Sequence, residues 1–103
     1  MEELTTETIK AYIANNNLVA IDFWATWCAP CKALSPLLDK FAKSNAFNLV
    51  VAKVNITNDT ELAREYNVKS IPTIIVFSKG QELKRLVGGN ECREFITKNT
   101  VNL

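Results

Sequence analysis

Two short, almost continuously apolar runs, Leu18 to Trp24 (LVAIDFW) and a strand within Phe47 to Ile56 (FNLVVAKVNI), enclose an amphipathic helical pattern, and a hairpin signal follows further on. This order predicts an α/β domain with a central mixed β-sheet flanked by helices. A chain of 103 residues, 48% of them hydrophobic, supports one core, so residues 1–103 are expected to form one domain.

Each element has its own signal. Leu4 and Ile9 flank Thr5 as a hydrophobic staple flanks an N-cap, and Ile9, Tyr12 and Ile13 share one helical face. Asn15-Asn16-Asn17 ends that helix. The apolar runs are short enough to be strands covered on both faces. Between them a helix is expected from Ala29 to Ser44, with Leu34, Leu37, Leu38 and Phe41 at spacings of three and four and a kink at Pro36. Asn58, with Glu61 three residues on, reads as the start of a further helix, which Asn67 can end in the left-handed conformation. Ile74 to Phe77 and Leu83 to Val87 flank Ser78-Lys79-Gly80-Gln81 and predict an antiparallel hairpin. Gly88-Gly89-Asn90 opens a last helix with Cys92, Phe95 and Ile96 on one face. No internal repeat, linker or low-complexity segment interrupts the pattern.

Twelve basic against eleven acidic residues leave a net charge of +1, so the totals carry no electrostatic footprint for nucleic acid or an anionic membrane. MEELTTETIK lacks the basic start and apolar run of a secretory signal, and no apolar run is long enough to cross a bilayer. Three cysteines are an odd number and too few for a disulfide framework, which points to the reducing cytoplasm.

WCAPCK, residues 27–32, sets two thiols at the start of the Ala29 helix. A c-type haem would need histidine after the second cysteine, where Lys32 stands in a chain without histidine. Structural zinc takes four Cys or His ligands, and only Cys92 remains as a third. As a staple, the pair would close a loop worth only about 2 kcal/mol. What remains is a dithiol that cycles: Cys28 sits where unpaired amides and the helix dipole favour its thiolate, and Cys31 lies one turn on to displace a client held in a mixed disulfide. Pro30 fits the first turn and withholds one amide donor from that thiolate. Trp27 reads as a contact surface beside the pair.

With these residues in place the sequence closely resembles the thioredoxin family over nearly the whole chain: IDFWATWCAPCK, AKVNI, SIPTIIVF, the KG turn and VGG occur in the family's order and spacing. The resemblance implies a thioredoxin fold and a monomeric cytosolic protein disulfide reductase, with Cys28 as nucleophile and Cys31 as resolving thiol. No bound cofactor is implied. Electrons would come from NADPH through a separate flavoprotein, thioredoxin reductase, and pass to client disulfides such as those of ribonucleotide reductase, peroxiredoxins and methionine sulfoxide reductases. The sequence departs from the family in three places. Ala29 replaces the usual glycine, a change that bears on redox potential or partner fit; the segment before the first long strand is short, so an N-terminal edge strand is brief; and the loop before the last helix is shortened.

Asp22 interrupts an apolar strand, where burial would raise its pKa and fit it to accept the Cys31 proton directly or through water; the plainer alternative is a solvated strand-end carboxylate. Lys53 likewise interrupts a buried strand, either as the family's lysine near that aspartate or as a snorkelling side chain. Pro72 stands where it removes no central ladder bond. The resemblance implies that the Ile71-Pro72 bond is cis and faces the cysteines, with the backbone before it pairing with an extended client. It also places Trp27, Ile56, Ile71, Pro72, Val87 and Gly88 on an apolar client-binding rim. Cys92 shares the apolar face of its helix and reads as a small buried hydrophobe.

Overall fold

The computed structural model describes residues 1–44 and 46–99. In chain order the elements are β1 (Glu2–Leu4), α1 (Ile9–Asn15), β2 (Leu18–Trp24), α2 (Ala29–Ser44), a 3-10 turn (Ala46–Asn48), β3 (Val50–Asn55), α3 (Thr60–Glu65), β4 (Thr73–Ser78), β5 (Gln81–Val87) and α4 (Gly89–Asn99). The sheet runs β1-β3-β2-β4-β5. β3 pairs in parallel with both β1 and β2, while β4 is antiparallel to β2 and β5 to β4. The sheet is therefore mixed, as the element order predicted, and the N-terminal edge strand is three residues long.

Alternation along the strands separates two cores. Val19, Ile21 and Phe23 of β2 face the layer holding α1 and α3, where they join Ile9, Ile13 and Leu62. Ala20 faces the other layer with Leu34, Leu38 and Phe41 of α2 and Cys92 and Ile96 of α4. Asp22 has the parity of Ala20. A carboxylate in the middle of β2 is thereby turned toward the layer of α2, the helix that carries Cys31 and begins just after Cys28.

Two helix starts differ from the sequence expectation. The regular part of α1 begins at Ile9, because residues 6–8 form a turn and the Thr5 backbone N–H donates to Thr8 Oγ1 (2.8 Å). Leu4 and Ile9 are both buried in the same core, so the staple contact survives although the helix starts later. For α3 the cap is Asp59, one residue beyond Asn58: its Oδ1 accepts from the Leu62 N–H at 3.0 Å, and its other oxygen accepts from Thr6 Oγ1 at 2.7 Å. Asn67 does take the left-handed conformation (φ 55°), and the Val68 and Asn67 amides close back onto the Ala63 and Arg64 carbonyls.

The hairpin strands are longer than expected, reaching Ser78 and Gln81 across a two-residue loop. Lys79 (φ 51°) and Gly80 (φ 84°) both take positive φ, as tight hairpin loops require. Among the described residues no helix is long and apolar enough to cross a membrane.

Candidate active site

The two cysteines lie where the chain leaves the C-terminal end of β2 and enters α2. Cys28 and Cys31 are joined in a disulfide, with Cα atoms 5.3 Å apart. Both are nearly buried, 3% and 4% exposed, and form a small cluster with Ala25 against which Trp24, Ile56 and Ile71 pack. The Cys31 backbone N–H donates to Cys28 Sγ at 3.2 Å. At a helix start this amide has no carbonyl four residues back to bond, so it is free to favour negative charge on that sulfur. Ala29 and Pro30 between the thiols are exposed.

The loop before the dithiol is tied to the loop after β3. The Thr26 N–H donates to Thr57 Oγ1 (2.9 Å), the Thr57 hydroxyl donates to Asn55 Oδ1 (2.6 Å), and the Ile56 N–H donates to the Trp24 carbonyl (2.8 Å). Trp27 projects from this braced loop with 70% of its surface exposed, and it borders a groove with Ile56. A large aromatic is thereby held out of the core and open to solvent.

On the other side of the disulfide, the Ile71-Pro72 bond is cis, and the Pro72 carbonyl accepts from the Gly88 N–H at 2.8 Å. Glu91, in the first turn of α4, accepts from the Val87 N–H at 2.7 Å and fixes the approach to that helix. Gly88 has φ 91°, a conformation that L side chains rarely adopt. Ile56 and Ile71 thus pack against the dithiol cluster, whereas Val87 pairs with Thr73 and the Gly88 N–H bonds the Pro72 carbonyl.

Behind the disulfide is a cavity of about 80 Å³, bordered by Asp22, Trp24, Cys31, Lys32 and Lys53. Asp22 is 5% exposed, and its Oδ1 has no hydrogen-bond partner among the described residues. Burial pushes its carboxyl up to about 7; Lys53 opposes this and Glu3 adds to it. The solvated strand-end alternative is thereby removed for Asp22. Lys53 lies opposite Asp22 in the β2–β3 register, its side chain 29% exposed and its Nζ 5.3 Å from the centre of the Trp24 ring.

Glu3 escaped the sequence reading. Its signal was weak: one acidic residue in a polar N-terminal stretch, visible as part of the site only once β1 is registered against β3. Cys92 is fully buried, its thiol facing the Leu86 and Pro72 carbonyls at 3.6 and 3.8 Å. Burial first, and then the Asp22 charge, push it up to about 12, so it behaves as an inert small side chain. Among the described residues no group of three or more His, Cys, Asp or Glu could hold a metal ion.

A cross-linked Cys-x-x-Cys at the start of a helix, on a five-stranded mixed sheet covered on both faces, defines a thioredoxin-fold dithiol protein. The family profile described as Thioredoxin matches residues 1–100, and the chain belongs to the thioredoxin family. Members of that family are thiol–disulfide oxidoreductases, and the cysteine pair that carries this chemistry is present here. The thioredoxin of Mycobacterium tuberculosis is 47% identical over 76 residues, 74% of this chain and 66% of that protein's own length, just under two thirds. A protein of Mycobacterium leprae named bifunctional thioredoxin reductase/thioredoxin is 47% identical over the same share of this chain, which spans 17% of it. Among solved structures, thioredoxin from Plasmodium falciparum superposes with a TM-score of 0.85 at 30% identity, covering 95% of this chain and 98% of that one.

Proposed function

We propose that the protein is a protein disulfide reductase that cycles between dithiol and disulfide at Cys28 and Cys31. The observation that carries this reading is the Cys31 amide directed at Cys28 Sγ beside the exposed Trp27. The Cys28 thiolate attacks one sulfur of a client disulfide; that S–S bond breaks, the second client sulfur leaves as thiolate, and a mixed disulfide forms. Cys31 then gives up its proton and attacks Cys28 Sγ, releasing the client as a dithiol and closing the Cys28–Cys31 bond. Two electrons pass to the client in each cycle.

Asp22 is the acceptor we assign to the Cys31 proton. Its unpaired Oδ1 and the cavity shared with Cys31 support this role, and the space suffices for a bridging water. Lys53 adjusts the charge at that cavity, while Ala29 and Pro30 set the environment of the Cys28 thiolate. Trp27, Ile56, Ile71, Pro72, Val87 and Gly88 form the surface on which an extended client segment lies, with the backbone before Pro72 pairing with it.

Recharging needs two electrons from outside the chain. We assign them to NADPH delivered by a separate flavoprotein thioredoxin reductase; the Mycobacterium leprae relative, whose name joins both activities, supports that pairing. Clients of the family's kind, namely ribonucleotide reductase, peroxiredoxins and methionine sulfoxide reductases, and a monomer in the cytoplasm complete the reading. Trapping tests it. Cys31→Ser should hold clients in mixed disulfides recoverable from cell extract and released by dithiothreitol, and Cys28→Ser should hold none and lose insulin disulfide reduction. Recovery of the same clients by Cys28→Ser would move the nucleophile to Cys31, and insulin reduction by the parent protein no greater than the background seen with Cys28→Ser would make the protein a binding module with a dispensable dithiol.

A further inference from the structure

The sheet register sets three charged residues side by side on the face that covers the cavity: Glu3 of β1 is opposite Lys53 of β3, and Lys53 is opposite Asp22 of β2. Lys53 therefore has a carboxylate on either side. Among the described residues its ion pair is with Glu3, at 3.9 Å from Nζ to Oε1, and Asp22 has none. The second oxygen of Glu3 accepts from Trp24 Nε1 at 3.1 Å, and the Trp24 ring in turn lies under the Lys53 ammonium. One carboxylate on the edge strand thus fixes both the cation and the aromatic ring that border the Asp22 and Cys31 cavity.

We propose that Glu3 is a positioning residue for proton transfer at the dithiol: by pairing with Lys53 and Trp24 it holds the lysine charge away from the Asp22 carboxylate. This rests on the reading of Asp22 as the proton acceptor given above. A lysine free to swing across the register would pair with Asp22, stabilise its anion and make it a weaker base for the Cys31 proton. With Glu3 in place, part of the lysine's field is neutralised before it reaches the buried carboxyl.

The charged and titratable groups around Asp22 are Lys53 of β3, Glu3 of β1, the amino group of Met1, which precedes β1 and borders the same cavity, Cys31 and Lys32 of α2 and Cys92 of α4, and β4 presents the apolar Ile74 opposite Asp22. In the oxidised protein Cys31 has no proton to exchange and Cys92 titrates far above neutrality. The Asp22 midpoint can then be read alone from its carboxyl carbon by NMR. Glu3→Gln keeps an acceptor for Trp24 Nε1 but removes the charge that pairs with Lys53. The expected result is a midpoint displaced to lower pH by about half a unit or more. In a Lys53→Met background the same Glu3→Gln change should move it by less than half as much, because no cation remains to be released. An unmoved midpoint in Glu3→Gln, with or without a lowered melting temperature, would leave Glu3 an anchor of the edge strand and overturn the proposal. An equal displacement with and without Lys53 would also overturn it, by showing that Glu3 acts through its own charge. Neither outcome touches the role of Asp22, which is judged separately by the kinetics of an Asp22 variant.

Discussion

Pro30 is the residue between the thiols whose backbone can least help the thiolate, since it has no N–H to offer at the start of α2. The Cys31 amide is the donor the structure records on Cys28 Sγ. Pro30 is exposed and lies beside the start of α4, where its Cβ would be 3.5 Å from a Cβ added at Gly89. Pro30→His should restore a donor and add a partly cationic ring at the helix start, both of which favour the Cys28 thiolate. A stabler thiolate favours the reduced protein, so the disulfide becomes the stronger oxidant. The expected outcome is a lower Cys28 pKa and a reduction potential raised by about 10 to 40 mV, given that about 30 mV corresponds to 1.4 kcal/mol for two electrons. Equilibration against a glutathione buffer, with the thiolate titrated in parallel, measures both. A potential that stays put or falls would mean that Pro30 serves helix geometry or partner fit and does not set the redox poise.

At the scale of elements, the short α3 shows how one side chain starts a helix and also fastens it. Asp59 caps the Leu62 amide and takes a hydroxyl hydrogen bond from Thr6 in the turn before α1, so it links two elements on the same face of the sheet. Asp59→Ala should therefore cost about 1 to 2 kcal/mol in denaturant unfolding, and Asn58→Ala should change little. A larger loss at Asn58 would restore the start expected from Glu61 alone. The misplaced cap has a plain cause: Asn58 and Asp59 are both good capping residues, and the choice between them depends on Thr6, 53 residues away from Asp59 in the chain. Local signals sufficed elsewhere. The bounds of α2 and β2 follow from apolar spacing and from the asparagine run, and Asn67 and Gly80 carry their backbone preference with them. Within the site, WCAPCK and Asp22 were legible because each breaks a local pattern. Glu3 broke none, being a charged residue in a charged stretch, and its place in the site is a property of strand register.

Across the whole molecule the burial that raises the Asp22 carboxyl also weakens the fold. The sheet buries Asp22 between β2 and the α2/α4 layer with one oxygen unpaired, and its carboxyl titrates at about 7 in the folded chain against about 3.8 when solvated. The folded protein therefore binds this proton more tightly than the unfolded chain does. By linkage, the contribution of Asp22 to stability falls as pH rises from about 4 to about 7, and above that range the full cost of the buried charge is present. Asp22→Asn keeps the shape and removes the ionisation, so the oxidised variant should be more stable than the parent at pH 8 by about 2 to 4 kcal/mol, with the difference shrinking toward zero near pH 4. The same substitution should slow release of the client from the mixed disulfide, because Cys31 loses its acceptor. Denaturant unfolding at several pH values reads the first effect, and single-turnover reduction of a client disulfide reads the second. A more stable but slower variant is the signature of a carboxylate kept for chemistry at a cost in folding energy. Unchanged single-turnover kinetics across neutral pH would instead make Asp22 a structural residue, and a variant no more stable at pH 8 would mean that water or Lys53 already solvates the anion within the cavity.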